Sequence, residues 1–360
     1  MGKFDKEGKL SGWALGWLLG GLALAFLLSL RFGSVEIPTN QILIVLTGGE
    51  PEKAAWADVV LKFRLPKAIT AMLVGAGLSA AGLMMQTLFR NPLADPFILG
   101  VSSGASLGVA LVMMGSGAGA ALGFSAATGF TAGLGALGDL SLAAAASAGA
   151  GAVLALVLSL SRRVNSTLTL LIVGLMFGYL ANALVSLLVY FSQPERVQAF
   201  SLWSAGSFGG VTWSQMRVFG PVVGLGLAIA LGMAKPLNAL LLGDEYAASM
   251  GLNVKRARFA ILAGASLLAG AATAFCGPIW FVGVAVPHIS RSIFNTADHH
   301  VLMPASVLLG AAFALLADMI AQLPGSQTTL PLNVVMSLFG VPVIMWIILR
   351  QRQASGAFAR

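Results

Sequence analysis

Apolar runs of bilayer length, broken by short polar stretches, account for most of this chain. They lie at 13–32, 65–88, 97–112, 141–160, 168–191, 217–234, 259–276, 279–294, 303–323 and 332–349. A helix needs roughly 20 apolar residues to cross the hydrocarbon core. The pattern therefore predicts about ten transmembrane helices, several broken at Pro or Gly, in one all-α membrane domain over 1–360. The first run reaches Arg31 without a small-residue cleavage site and reads as a retained helix rather than a removed leader.

Lys3, Lys6 and Lys9 precede the first run, and Arg350 and Arg352 follow the last. Because cytoplasmic loops carry the excess of Lys and Arg, both termini, including the tail 1–12, are expected inside. An even number of spans follows. Ten spans leave fourteen of the 21 Lys and Arg inside and seven outside, with Arg90 and the pair Arg162-Arg163 on the inner side. The Gly/Ala-rich stretch 113–140 is then expected to be an external, loosely structured or re-entrant excursion rather than an eleventh span.

Composition agrees with a membrane protein and removes other classes. With 58% hydrophobic residues, 9% charged and a mean hydropathy of +0.89, the chain is no ordinary soluble domain, whose charged fraction is nearer a quarter. The net charge of +8 is dispersed one to three residues at a time beside apolar runs, which is an orientation signal and not a nucleic-acid footprint. Cys276 is the sole cysteine, so there is no internal disulfide and no cysteine-based zinc site.

Three proline-bearing phrases interrupt the apolar runs: Asn91-Pro92-Leu93-Ala94-Asp95-Pro96, Gly277-Pro278-Ile279-Trp280-Phe281-Val282-Gly283 and Val286-Pro287-His288. Non-helical backbone at membrane depth survives only inside protein or along a water-filled cavity, and such breaks mark transport paths. Asp95 is expected to cap a helix with Pro96 in its first turn. Gly75, Gly77, Ser79, Ala81 and Gly82 repeat at three- and four-residue spacing, as does the run Gly100 to Ser106. Small residues so placed let helix backbones approach closely in lipid.

The polar interruption 236–258 carries Gly243-Asp244-Glu245-Tyr246-Ala247-Ala248-Ser249-Met250-Gly251. Asp244 reads as an N-cap, Glu245 suits the first turn and Gly251 suits the stop. A short cytoplasmic helix results. The residues alone leave two roles open: a solvated connector, or a docking helix presenting Ala247, Ala248 and Met250 to a partner's groove.

Among polar groups within the runs, His288 is a candidate for haem or metal ligation, but a lone histidine beside a break is expected to bond a freed backbone carbonyl. No metal site is assigned. Asp318 is expected to be packed and paired, with a proton-carrying role as the alternative. Asp298, His299 and His300 read as a solvated turn. The chain has no Gly-x-x-x-x-Gly-Lys-Ser/Thr loop and so no ATPase site of its own. It has no His-x-x-x-His pair or nucleophile–base set either. An ion-gradient-driven secondary transporter is the alternative class, for which Asp318 is the one clear intramembrane carboxylate.

Taken together, these residues resemble the membrane subunits of ABC importers for iron–siderophore complexes, haem and cobalamin. The likeness covers roughly 60–350. It rests on Phe63-Arg64-Leu65-Pro66-Lys67, Arg90 to Pro96, Leu99-Gly100-Val101-Ser102-Ser103-Gly104-Ala105, Gly243-Asp244-Glu245 followed by Gly251, Gly277-Pro278 with Phe281-Val282-Gly283, Val286-Pro287-His288, Leu330-Pro331 and Gly340-Val341-Pro342, in that order.

The resemblance implies a permease in a bacterial or archaeal cytoplasmic (inner) membrane that is not itself an enzyme. It implies a dimer with itself or a homologous permease, two ATPase subunits inside that carry the ATP and Mg, a substrate-binding protein outside, and no cofactor on this chain. An iron–siderophore complex is the expected cargo. Gly243, Asp244, Glu245, Ala247 and Gly251 correspond to the segment that couples to the ATPase. Arg64 and Lys67 correspond to external basic residues that pair with acidic groups on the binding protein. Asn91, Leu93, Asn165, Ser166 and Thr167 correspond to the narrow cytoplasmic end of the path. In the second half, Gln322 stands where relatives often carry arginine, and Thr329 rather than glutamate precedes Leu330-Pro331.

Overall fold

A computed structural model describes residues 12–33, 35–121, 139–163, 167–322 and 329–357. Seven of its helices are long and apolar enough to cross a membrane: α1 (Gly12–Arg31), the continuous helix Ala54–Leu88, α6 (Asp139–Arg163), α7 (Thr167–Tyr190), α9 (Trp213–Gly232), α12 (Val254–Cys276) and α14 (His299–Ala321). The long second helix comprises α3 (Ala54–Asp58), a π turn (Val59–Arg64) and α4 (Leu65–Leu88). Shorter apolar segments in α5 (Val101–Ala121) and α15 (Leu332–Ala357) bring the number to nine. The tenth, α13 (Val282–Phe294), has 13 residues. At 1.5 Å per residue it is about 20 Å long, too short for a hydrocarbon core of about 30 Å. The expected span 279–294 is thus a half-helix, entered through the non-helical residues 277–281.

Two further expectations change. Helix α5 runs on to Ala121, so 113–121 continues a helix instead of opening a loose excursion. Residues 122–138 lie outside the described part. The third span begins at Val101, because Asp95 caps only one 3₁₀ turn, Pro96–Leu99, through Phe97 N to Oδ1 at 2.9 Å. Gly100, at φ 75°, then redirects the chain. Three short helices escaped the sequence reading, α2 (Thr39–Leu46), α8 (Pro194–Ser204) and α10 (Ala234–Leu241), whereas α11 (Asp244–Ser249) is the short helix expected within 236–258.

Helix α4 is the centre of the fold and packs against α14, α12, α13 and α9. Glycines permit the closest approaches. A Cβ at Gly75 would overlap the carbonyl oxygen of Gly310 in α14, and one at Gly82 would overlap that of Gly283 in α13. Gly75 and Gly82 thus belong to packing, as their spacing suggests. On the other side, α5 packs with α6 and α7, and α6 closes onto α12. Helix α1 leans on α14 with its opening turns, where Ala14 and Leu18 meet Phe294 and Val301. The start of α1 and the α13–α14 junction therefore share one end of the bundle.

Candidate coupling surface and transport path

At that inner end, α10 and α11 project from the bundle between α9 and α12. Gly243, at φ 118°, occupies the cap position of α11, which no side chain caps. The assignment of Asp244 as cap is therefore corrected. Its carboxylate instead receives Arg258 Nη2 at 2.8 Å and Arg90 Nη2 at 3.2 Å. One acid so ties α11 to α12 and to the residue just past α4. The expected stop at Gly251 holds: at φ 87° it donates to Ala248 O while Leu252 N reaches back to Ala247 O, the paired bonds of a Schellman closure. Ala247 does not face a partner, because it is fully buried against its own chain. The outward surface is Glu245, Tyr246, Ala248 and Met250.

Behind this surface lies a buried hydrogen-bond chain that sequence reading missed. Asn238 of α10 receives His299 N and Nδ1 on its Oδ1, both at 2.8 Å, and donates to Asp298. His299 Nε2 meets Thr87 Oγ1 of α4 at 2.7 Å. His299 is thus no solvated turn: it is 1% exposed and bridges α10 to α4. The same reading missed that Asp298 caps the head of α14, its carboxylate accepting from His300 N at 2.9 Å.

The loop after α4 carries Asn91 and Leu93. Asn91 Oδ1 accepts from Leu93 N at 3.0 Å, closing a turn on which Leu93 stands half-exposed. His288 donates its Nε2 proton to Pro92 O at 2.9 Å, the freed-carbonyl bond expected of it, and so pins this loop to α13. Arg291, one turn on, donates to Gln86 Oε1 of α4. Thr167 is the first residue of α7, and Asn165 and Ser166 lie outside the described residues.

Above the loop, α5, α7, α8 and the 277–281 turn enclose an open cavity of about 650 Å³. Hydroxyls and an amide line it, from Ser102, Ser103, Ser106, Asn182 and Ser204, with Trp280 and Phe281 adding aromatic faces. Helix α8 enters through Phe200 and Ser204. Phe281 is held at φ 69°, a conformation costly for a bulky residue, and packs against Gly340 of α15. Asn333 fixes the turn, donating to Pro278 O at 2.7 Å and accepting from Trp280 N at 3.2 Å. At the cavity edge, burial raises the Asp95 carboxyl to about 6, opposed by its bond from Phe97 N. Among the described residues no group of His, Cys, Asp or Glu could hold a metal ion.

At the outer end, Arg64 and Lys67 are both engaged within the chain. Arg64 Nη1 donates to Leu30 O at 2.7 Å and Arg31 O at 2.9 Å, and Nη2 donates to Val35 O. The guanidinium thereby satisfies the last carbonyls of α1. Lys67 Nζ pairs with Asp318 Oδ1 at 3.0 Å. Gln322 Nε2 donates to the other oxygen at 2.6 Å, so both carboxylate oxygens are met. Asp318 is packed and paired, as expected.

A bundle of bilayer-length helices with a half-helix, a hydroxyl-lined cavity and a short helix displayed at one end has the architecture of a membrane transport protein. The chain belongs to the FecCD transport family, whose sequence pattern matches residues 21–350. It is 36% identical to the hemin transport system permease HmuU of Yersinia pestis over 342 residues, 93% of this chain and 96% of that one. It is 34% identical to the vitamin B12 import permease BtuC of Klebsiella pneumoniae over 340 residues, 93% of this chain and 94% of the other. A solved structure described as an inward-facing conformation of a metal-chelate type ABC transporter matches with a TM-score of 0.79 and 29% identity, covering 94% of this chain and all of the other. The chain is accordingly an ABC permease subunit of a bacterial inner membrane, with ATP handled by a partner ATPase and no enzyme activity of its own. The ion-gradient alternative falls with that membership.

Proposed function

We propose that this permease carries a metal chelate, an iron–siderophore complex first, with haem and cobalamin as the alternatives. It works as a dimer, with itself or a homologous permease, between a binding protein outside and two ATPase subunits inside. The observation that carries the reading is the open cavity of about 650 Å³ lined by serine hydroxyls, Asn182 and the Trp280–Phe281 pair. Weak hydrogen-bonding groups and aromatic faces pass a large, amphipathic chelate without holding it, leaving recognition to the binding protein. The hemin and vitamin B12 permeases among the relatives support a bulky metal chelate.

Coupling runs through α11: Glu245, Tyr246, Ala248 and Met250 meet the ATPase, while Gly243, Asp244, Ala247 and Gly251 set the helix in place. Asn91 and Leu93, with Asn165, Ser166 and Thr167, form the inner constriction. Arg64 and Lys67 serve docking by placing the outer ends of α1 and α14, and through whatever charge remains open to the acidic lobes of the binding protein. The test is uptake into vesicles holding permease and ATPase, supplied with binding protein and ferric hydroxamate, haem or cobalamin in turn. ATP-dependent accumulation of the ferric hydroxamate alone is expected. Uptake of cobalamin or haem in its place overturns the cargo assignment.

A further inference from the structure

A second cavity lies away from the path, at the outer end of α1. It measures about 510 Å³ and is lined by Arg31, Phe32, Glu36, Ile37, Pro38 and Trp56. Its walls are fixed from behind. Arg64 holds the Leu30, Arg31 and Val35 carbonyls, and Gly33 packs so near that guanidinium that a Cβ there would stand 2.8 Å from it. Ile37 is buried. The Arg31 guanidinium rests over Phe32, 5.8 Å from the ring centroid, and Lys53 lies over Trp56 at 5.2 Å. Arg31 and Glu36 are both exposed, and no salt bridge joins either to another described residue.

The pocket stands at the head of a lipid-facing stripe. Trp13, Trp17, Leu24 and Arg31 follow at intervals of 4, 7 and 7 residues, which at 3.6 residues per turn keeps them within about 40° of one line. The three apolar members are 55%, 68% and 59% exposed. Outer-leaflet acyl chains lying along the Leu24–Arg31 part of that stripe, about 10 Å of helix, end at a cavity lined by the Arg31 cation, the Glu36 anion and an interfacial tryptophan, Trp56. Arginine forks match phosphate, and tryptophan marks the headgroup level.

We propose that this cavity binds the headgroup of an outer-leaflet phosphatidylethanolamine, its phosphate on Arg31 and its ammonium on Glu36. The ammonium is the discriminating part. Ethanolamine offers N–H donors to the Glu36 carboxylate, choline has a cation without N–H, and glycerol has no cation.

Native mass spectrometry of the purified full chain in detergent, titrated with phosphatidylethanolamine, phosphatidylcholine and phosphatidylglycerol, reads this directly. Phosphatidylethanolamine is expected to bind roughly tenfold tighter than the other two, the worth of one hydrogen bond to a charged group. Glu36→Gln should reduce phosphatidylethanolamine to the level of phosphatidylcholine, and Arg31→Gln should weaken all three. Arg31→Lys, which retains charge at that exposed site, should weaken binding less than Arg31→Gln. Equal affinity for the three lipids, or a preference unchanged in Glu36→Gln, overturns the assignment. So does a Glu36→Gln variant that slows association with the binding protein while keeping its lipid preference. None of these readouts depends on transport.

Discussion

Lys67 and Asp318 meet at 3.0 Å between α4 and α14, with the carboxylate almost wholly buried and the ammonium partly open. A buried acid near the outer end of α14 is thereby matched to a cation on the neighbouring helix, and Gln322 satisfies its second oxygen. Removing one partner of a buried pair strands the other charge, at a cost of about 3–5 kcal/mol. Asp318→Ala should therefore lower stability by about 3 kcal/mol, the low end because Lys67 is partly exposed. Lys67→Met with Asp318→Leu should recover most of the loss. Thermal unfolding in detergent measures both, and a single mutant as stable as the double would contradict the pairing.

The burial of Ala247 separates two kinds of damage to α11. Glu245→Arg with Met250→Glu changes only the outward face, so the permease should fold and bind lipid normally while ATP-driven uptake is lost. Ala247→Trp should instead displace the helix and lower the unfolding temperature. If the outward double variant transports at the parental rate, α11 is not the coupling element.

Asn238 accepts two bonds from His299. Asn238→Ala leaves those buried donors unmatched, which costs about 1–3 kcal/mol, whereas His300→Ala on the exposed side should cost little. Because α10 leads into α11 and His299 reaches α4, Asn238→Ala should also raise ATP hydrolysed per chelate carried. Stoichiometry at the parental value would confine the network to stability.

If the loop carrying Leu93 is the proposed inner constriction, Leu93→Ala should let chelate-loaded vesicles leak without ATP. His288→Leu should do so more weakly, by freeing Pro92 and the turn that carries Leu93. Vesicles of both variants as tight as the parent would make this loop ordinary packing.

Asp95 gives a pH signature. Its ordinary value near 3.8 rises to about 6 in the folded chain, so the folded state binds the extra proton. Its contribution to stability is then greatest below about pH 4, falls as pH rises toward 6, and is flat above. Asp95→Asn, which still caps the Pro96 turn, should lack that slope in unfolding scans between pH 4 and 7. An unchanged slope would assign it to other groups.

Ten apolar runs can be read along the sequence because each span must satisfy its own backbone in lipid, and the order of the short phrases between and within them carried the resemblance. What stayed hidden depends on partners distant in sequence. Asp244 looks like a cap from its neighbours, yet Arg90 and Arg258 claim it. His299 looks solvated beside Asp298 and His300 until α10 and α4 close over it. Helix α8 has too little hydrophobicity to register as a span, being a short piece of mixed polarity at the outer end that shapes the cavity. The half-helix α13 was misjudged because Ile279, Trp280 and Phe281 are apolar enough to extend a run, while the glycine and proline before them and the left-handed Phe281 prevent a helix.

The glycine contacts of α4 have a mechanical consequence. With Gly75 against the Gly310 carbonyl and Gly82 against that of Gly283, only small side chains such as Ser79 and Ala314 flank these backbone contacts, leaving little that can change rotamer and absorb a sliding motion. Close backbone contact of this kind favours α4, α13 and α14 moving as one unit. An alternating-access cycle must take its strokes from the opposite flank, where α7 and α8 border the cavity and α7 presents a largely exposed surface.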